Sequence, residues 1–253
     1  MRLTAWEKMK LFQLVVHVVA AGGIAFAFDA SWLLASIACW FFIYLFGGTI
    51  GYHRIWSHRS FQPSNFVRYG SMWVGMLMGQ GAVFSWVGQH RMHHRYSDIS
   101  RDKDPYWAHC DTALGTLKTW FLSPHPINYE LNMVKDLVRD KWVRFTHEHY
   151  YKIMFSWIAA LVCVSPKVAL YCWFIPSVMC YVSAQVTGVF GHKIGVLHYP
   201  DTHDHSRDSH WLNIFTLGES YQNFHHKYPT RVVMGKYDLS GWVIEKFLAR
   251  KGT

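Results

Sequence analysis

The chain has 253 residues, of which 51% are hydrophobic, 17% are aromatic and only 16% are charged. Ordinary soluble domains carry about 25% charged residues, so this composition indicates a membrane protein with a substantial polar part. The formal net charge of +9 suits an anionic membrane surface, an acidic protein partner or an anionic substrate. Nucleic acid is disfavoured as a partner, because no basic run is interleaved with aromatic residues on a soluble module.

Two apolar segments near the N-terminus predict a transmembrane hairpin. Residues 11–28 and 32–52 are almost wholly apolar, and only a short, non-basic turn separates them. Each segment is about as long as a helix must be to cross a bilayer. Residues 1–10 carry three basic side chains against one glutamate, and the positive-inside rule therefore places the N-terminus in the cytosol.

A second hairpin is predicted from residues 150–164 and 168–190, which are apolar and flank a short turn containing Pro166. The first of these segments is short for a span, and Pro176 predicts a kink in the second. With the N-terminus inside, the second and fourth spans both end on the cytosolic side. Every polar segment longer than a turn then lies on one face of the membrane.

These segments predict an all-α integral membrane protein with four transmembrane helices in two hairpins. One domain, residues 1–253, is expected, with a cytosolic helical cap formed by residues 53–149 and 191–253. In the cap, residues 69–88 are apolar and rich in glycine, which favours an interfacial or buried helix over a span. Other parts of the cap are predicted as a charged loop at 98–104, helices at 113–122 and 130–147, and a closing amphipathic helix at 240–251.

A histidine motif lies between Gly88 and Asp98, where His90, His93 and His94 stand at positions i, i+3 and i+4. On a helix these positions share one face. Three imidazoles on one face form part of a coordination sphere, and imidazole suits Fe, Zn, Cu or Ni. The alternative is a polar helix end with solvated histidines, but the rest of the chain favours the metal site.

Further histidines occur in compact groups that the predicted topology brings to the same membrane face. Gln222 stands three residues before His225, as His90 stands before His93, so the pattern is repeated with glutamine in the first place. Eight imidazoles exceed what one ion can bind. Zinc normally takes four ligands in a closed site, whereas two irons with open positions can activate oxygen. The candidate metal ligands are His53, His58, His90, His93, His94, His192, His225 and His226.

The three histidine groups are spaced as His53-x4-His58, His90-x2-His93-His94 and Gln222-x2-His225-His226. These motifs resemble the three histidine boxes of the membrane fatty acid desaturases. The sequences around the first two boxes, residues 51–61 and 86–98, are more narrowly similar to the acyl-CoA (delta-9 type) desaturases. The resemblance covers residues 11–232 and includes the hydrophobic hairpins between the boxes.

The resemblance implies a cytosolic cap that holds two irons and desaturates a long acyl chain in a narrow apolar tunnel. O2 is the implied co-substrate, a cis double bond and water are the products, and no catalytic side chain beyond the metal centre is expected. The implied substrate is a fatty acyl group carried by CoA, by acyl carrier protein or by an intact lipid, with acyl-CoA favoured. Electrons are expected from a separate acidic donor such as ferredoxin or cytochrome b5, which the positive net charge attracts.

The chain departs from the family pattern at two positions. Gly188 stands where the family has a water-linked asparagine at the end of the fourth span, and Gln222 stands where many members have histidine. Gln222 is therefore a candidate metal ligand or a neighbour of one. Ligating histidines usually donate their second N–H to a carboxylate or similar partner, and Asp98, Asp104 and Glu219 are candidates for that role or for direct binding.

Two other functions remain open on the sequence alone. A membrane hydroxylase or ketolase of the same di-iron kind inserts oxygen instead of desaturating, and product analysis distinguishes the two. A metal transporter with a histidine-rich loop needs polar ligands within its spans, where few polar residues such as His17 occur. His203, in a segment rich in His and Asp, is predicted to lie in a polar loop over the site and not in a separate zinc site.

Overall fold

The structure, a computed structural model, describes residues 4–100, 103–106 and 130–249. Regular structure in these ranges is helical, and β pairing is limited to two isolated bridges that Asp208 makes with Val196 and Tyr221. The predicted all-α class is confirmed for this part of the chain, whereas the helix predicted at 113–122 lies outside the described residues. The main helices are α1 (Ala5–Ala27), α2 (Ala30–Ser57), α3 (Asn65–Met76), α4 (Val83–Tyr96), α5 (Lys141–Glu148), α6 (Tyr150–Val164), α7 (Pro166–Phe190), α8 (Asn213–Thr216), α9 (Gln222–Lys227) and α10 (Leu239–Val243, continued by a π-helical turn at Ile244–Leu248).

Three helices in the described ranges, α1, α2 and α7, are long and apolar enough to cross a membrane, and α6 is apolar but shorter. α1 begins before the apolar run, because Thr4 and Glu7 form a capping box in which each side chain bonds the other residue's N–H. α2 continues beyond the apolar run to Ser57. At its start, α1 thus extends beyond the apolar run into a polar segment, and α2 does so at its end.

Polar contacts at the turns hold the two apolar hairpins side by side. Nζ of Lys167 in the second turn lies 2.7 Å from Oδ2 of Asp29 in the first. The N–H of Asp29 also donates to the hydroxyl of Tyr171 at 2.6 Å. Nearer the cap, the indole N–H of Trp40 donates to the hydroxyl of Ser183 at 3.0 Å. Through these contacts α2 and α7 reach the cap at the same end of the bundle.

The apolar, glycine-rich stretch predicted as a single helix is two helices, α3 and α4, joined by a turn at 77–82. In this turn Gly79 and Gly81 have φ of 72° and 100°, a left-handed backbone that suits glycine and ends a right-handed helix. Gly81 is held on both sides, since its carbonyl accepts from the Tyr52 hydroxyl and its N–H donates to the Tyr150 hydroxyl. The break sets the direction of α4, which carries three candidate ligands.

The predicted helix at 130–147 is also interrupted. A 3₁₀ turn at Leu131–Val134 is followed by a bend, and α5 starts only after Asp140. The carboxylate of Asp140 accepts from two N–H groups at the start of α5 and from the hydroxyl of Tyr69, so it ends the preceding turn and caps the next helix. The closing helix predicted at 240–251 is present as α10 and its π-helical turn within the described residues.

Close backbone packing fixes the part of α2 that enters the cap. A Cβ atom on Gly47 would lie 2.6 Å from the backbone nitrogen of Gly75 in α3, and one on Gly51 would lie 2.9 Å from the Ser71 side chain. Since real Cβ atoms do not approach this closely, glycine is needed for α2 and α3 to pack at this distance. The packing of α2 against α3 therefore fixes the position of the end of α2, which carries His53 and leads to His58.

Candidate metal centre

The second half of α2, Ile43–Ser57, has π-helical winding, in which hydrogen bonds run from residue i to i+5. One turn of such a helix separates His53 from His58, whose N–H donates to the His53 carbonyl at 3.1 Å. Their ring centroids lie 4.9 Å apart. In an α-helix of 3.6 residues per turn, positions five apart point in different directions. The spacing His53-x4-His58 therefore matches this uncommon winding, which is often found at functional sites.

α4 divides its three histidines between two neighbouring groups. His90 and His94 are one turn apart with ring centroids at 4.7 Å. His93, between them in the sequence, is nearer the rings of His192 and His226, at 5.1 and 5.0 Å. The three side chains therefore contact two groups of histidines, with His90 and His94 in one group and His93 in the other.

All eight histidines predicted as metal ligands come together in the structure, and they form two clusters. Within each cluster, one ring nitrogen of every member lies within 4.8 Å of those of the others. No predicted ligand histidine is left out. The five-histidine cluster consists of His53, His58, His90, His94 and His225, and the three-histidine cluster consists of His93, His192 and His226.

The nitrogen positions in the five-histidine cluster fit a central cation. Nε2 of His225 lies 2.9 Å from Nε2 of His53 and 2.8 Å from Nε2 of His94, and Nε2 of His58 lies 2.8 Å from that of His90. A neutral ring nitrogen carries at most one proton, so hydrogen bonds alone do not satisfy every close pair. Two nitrogens that bind one ion at about 2.0–2.1 Å and at right angles lie about 3 Å apart, as these atoms do.

Unpaired nitrogens mark the three-histidine cluster as a second binding position. Nε2 of His192 and Nε2 of His226 are buried and, among the described residues, have no hydrogen-bond partner. Their side chains are only 1% and 3% exposed. A buried lone pair without a partner is costly, and a metal ion bound by both nitrogens removes that cost.

Carboxylates occupy the outer nitrogens of four of these rings. Nδ1 of His93 lies 2.8 Å from Asp104, and Nδ1 of His192 lies 2.6 Å from Asp98. Nδ1 of His226 lies 2.5 Å from Asp204. Nδ1 of His53 contacts Glu219. A carboxylate at Nδ1 fixes the tautomer with Nε2 unprotonated and raises its basicity, as is usual for metal-bound histidine. Asp98, Asp104 and Glu219 thus contact the outer nitrogens of cluster histidines, the contact expected of a carboxylate that orients a ligand.

A buried ionic network continues behind Glu219. The guanidinium of Arg54, which is fully buried, lies 3.2 Å from Glu219 and donates to both oxygens of Asp238 at 3.1 Å. Asp238 also accepts from the backbone N–H groups of Met234 and Gly241. The segment that leads into α10 is therefore tied to His53 through three charged side chains.

Burial keeps most of the imidazoles neutral. Burial, helped by neighbouring rings, holds the pKa of four members of the five-histidine cluster well below its usual range: His58, His90, His94 and His225. It lowers the pKa of His226 to about 4, although the hydrogen bond to Asp204 opposes the shift. Burial also disfavours the charged form of His93, but Asp104, together with Asp98 and Asp204, outweighs it and raises that pKa. Neutral imidazole is the form that binds metal.

A cavity of about 770 Å³, counting its open mouth, reaches the two clusters. Its lining combines His53, His90 and His93 with apolar side chains such as Tyr44 and Met78. Polar side chains are also present: Thr49, Gln80, Gln185, Thr187, Glu219 and Gln222. The cavity therefore places apolar surface in the same space as histidines of both clusters.

The two positions that depart from the family pattern both line this cavity. Gln222 is buried, and its Nε2 donates to the carbonyl of Glu219 at 2.6 Å. Its side chain packs on Gly191, the residue before His192. A Cβ atom on Gly188 would meet nothing within 4 Å, so this position is open. Gln222 thus lies next to the residue that precedes His192, a member of the three-histidine cluster.

Sequence reasoning missed two carboxylates of the site. Asp204 belongs to the segment predicted as a polar loop, yet it is the partner of His226; the many His and Asp residues around it were the available signal. Asp238 stands in no motif. His17 contacts the Gln13 carbonyl and packs against Tyr181 inside the bundle, and exposed His203 belongs to neither cluster.

Comparisons with known proteins agree with the site. The family model described as fatty acid desaturase matches residues 30–232. The chain is 29% identical to the sn-1 stearoyl-lipid 9-desaturase of Synechocystis sp., over 98% of this chain and 78% of that protein. It is 32% identical to acyl-CoA desaturase 1 of Saccharomyces cerevisiae, over 75% of this chain but only 39% of that protein. It is 29% identical to the hex-5-enoyl-(acyl-carrier protein) acetylenase of Moorena producens, over 79% of this chain and 67% of that protein.

Proposed function

Since the chain belongs to the fatty acid desaturase family, we propose that it is an O2-dependent desaturase that introduces a cis double bond into a long-chain fatty acyl substrate. The observation that carries the proposal is the convergence of eight histidines, three of which line a largely apolar cavity. An acyl chain is the kind of substrate that such a cavity accepts, and its reacting methylenes would lie next to the histidines.

Two iron ions are the proposed occupants of the clusters, and the eight histidines are their proposed ligands. Removing hydrogen from an unactivated methylene pair is beyond an acid or base side chain, and bound iron with O2 supplies that oxidising power. The protein contributes neutral imidazoles whose outer N–H groups are held by carboxylates. Trp86 stacks on His90 with ring centroids 5.1 Å apart and so keeps this ring in place beside the cavity.

Position along the cavity is the proposed source of regioselectivity. The lining includes the apolar side chains of Tyr44, Met78 and Val189 as well as His53 and His90. An acyl chain held in one register brings the same two carbons to the histidines each time, which is a proximity effect. The depth of the apolar part would then fix which bond is desaturated.

Acyl-CoA is the proposed form of the substrate. This choice is supported by the sequence around the first two histidine boxes and by the similarity to acyl-CoA desaturase 1 of yeast. The two other relatives are named for a stearoyl-lipid and for an acyl-carrier-protein substrate. The test must therefore supply all three carriers.

We further propose that α1, α2, α6 and α7 span the membrane and that the cap lies on the cytosolic side. α6 is shorter than the about 20 residues that a span requires, but only His149 separates it from α5, so the pair provides extra length. The net charge of +9 would attract an acidic electron donor such as a ferredoxin or cytochrome b5.

The test is to express the chain in a host, profile its fatty acids and measure iron in the purified protein. We expect a new cis-unsaturated acid and two irons per chain. The product and the iron should both be lost in His93→Ala and both be retained in His203→Asn. His203 is a suitable control because it is exposed and has a left-handed backbone that asparagine tolerates. Purified protein assayed with acyl-CoA, acyl carrier protein and lipid substrates then identifies the carrier. A hydroxylated product, or zinc alone in protein that retains activity, would refute the proposal.

A further inference from the structure

The two histidine clusters differ in the charge behind them. Each imidazole of the three-histidine cluster has its own aspartate at Nδ1, and these carboxylate side chains are between 0% and 4% exposed. Three negative charges, screened from water, therefore lie one ring away from this metal position. The pairs are His93 with Asp104, His192 with Asp98 and His226 with Asp204.

The five-histidine cluster has a less negative environment. Among the described residues, one carboxylate, that of Glu219, contacts an imidazole of this cluster. Its charge is shared with Arg54, whose guanidinium lies 3.2 Å away and also binds Asp238. Nδ1 of His225 is buried without a partner in the same described ranges. This position thus has more imidazoles but fewer carboxylates in contact with them.

On the basis of the proposed function, we infer that the two iron positions are electronically inequivalent. In half-reduced protein the ferric ion occupies the three-histidine cluster and the ferrous ion the five-histidine cluster. Nearby negative charge favours the more highly charged state of a neighbouring group, and burial strengthens this preference. Starting from two ferric ions, the iron of the five-histidine cluster accepts one electron from a reductant such as dithionite and becomes ferrous, and no bond to carbon or oxygen changes.

The experiment uses the full chain loaded with ⁵⁷Fe and titrated with dithionite under anaerobic conditions. Mössbauer spectroscopy measures the fractions of ferric and ferrous iron, and electron paramagnetic resonance measures the mixed-valent form. We expect the mixed-valent form to accumulate near half reduction, with one ferric and one ferrous doublet of equal area.

Asp98→Asn assigns the ferric position. Asp98 has φ of 56°, a backbone that asparagine also tolerates, and the amide oxygen still accepts from Nδ1 of His192. The variant therefore removes charge and keeps the hydrogen bond. One neighbouring charge shifts an ionisation equilibrium by about tenfold or more, so we expect the equilibrium constant for forming the mixed-valent protein to fall about tenfold. Asp98→Asn should shift the ferric Mössbauer doublet, whereas Glu219→Gln should shift the ferrous doublet.

Asp208→Asn is the matched control. Asp208 is buried and pairs with Nδ1 of His198 at 2.8 Å, but His198 is 47% exposed and belongs to neither cluster. Both doublets and the equilibrium constant should stay unchanged in this variant. Half-reduced protein without a mixed-valent form, a shift of the ferrous doublet in Asp98→Asn, or an equal effect of Asp208→Asn would overturn the inference. Protein without iron, or with one iron per chain, would refute the proposed function itself.

Discussion

Arg54 is the side chain on which the buried charge around His53 depends. It lies between two carboxylates whose side chains are 5% and 0% exposed, those of Glu219 and Asp238, and its own side chain is 0% exposed. Arg54→Met keeps a long apolar stem but removes the positive charge and its donors. Both carboxylates then remain buried without the group that compensates them.

The structure sets the magnitude of the loss. Removing one partner of a buried ion pair typically costs about 3–5 kcal/mol, and here two carboxylates lose the same partner. The cost should not double, because burial already raises the pKa of Asp238, so this carboxyl takes up a proton more readily than an exposed one. We therefore expect Arg54→Met to lower the free energy of unfolding by about 3–5 kcal/mol.

The assay is unfolding of the purified protein in detergent micelles, followed by tryptophan fluorescence, with iron content measured in parallel. Arg59→Met is the control, since Arg59 is 60% exposed and pairs with Asp136; an exposed pair contributes about 0–1 kcal/mol. Adding Asp238→Asn to Arg54→Met should recover part of the loss. If Arg54→Met and Arg59→Met had equal small effects, the buried network would not stabilise the cap.

Two further pairs of variants test individual positions. Gln222→His should bind iron at least as tightly as the natural chain, whereas Gln222→Leu should lose about 10-fold or more in iron affinity; equal iron content in the two variants would remove Gln222 from the site. Gly81→Ala should lower the free energy of unfolding by about 1–3 kcal/mol, because Gly81 has a positive φ. Gly22→Ala in α1 should raise it by about 0.4–1 kcal/mol, because the new Cβ meets nothing within 4 Å. Thermal unfolding of both variants measures this, and equal shifts would contradict the backbone explanation.

The ligand histidines were predictable because ligand chemistry constrains their spacing. His90 and His94 are one α-helical turn apart, and both enter the same cluster. His53 and His58 required more than helical periodicity, since their spacing suits π-helical winding and not an α-helix. Their assignment rested on their compact grouping directly after the second apolar segment, on the predicted membrane face shared by all the histidine groups, and the winding supplies the physical reason for the spacing.

The division of the histidines into five and three was not predictable from spacing. His93 and His94 are adjacent, yet they belong to different clusters. The neighbours that decide this are distant in sequence, because His192 follows α7 and His226 lies in α9. Asp238 illustrates the same limit, since it meets Arg54 across 184 positions and no local pattern marks it. The break at Gly79 and Gly81 had a signal in the glycines, but their positive φ needed the structure.

Each carboxylate pair at the centre joins two separate parts of the chain. Asp98 follows α4 and holds His192 after α7, while Glu219 precedes α9 and holds His53 in α2. The same contacts that orient the imidazoles therefore also hold the cap elements to the ends of the apolar helices. Carboxylates occupy the outer nitrogens of all three rings of the three-histidine cluster but of one ring, His53, in the five-histidine cluster. The ionic contacts therefore orient the first cluster directly, whereas the rings of the second depend more on the packing of α2, α4 and α9, and an ion bound only by the folded chain would stabilise either arrangement.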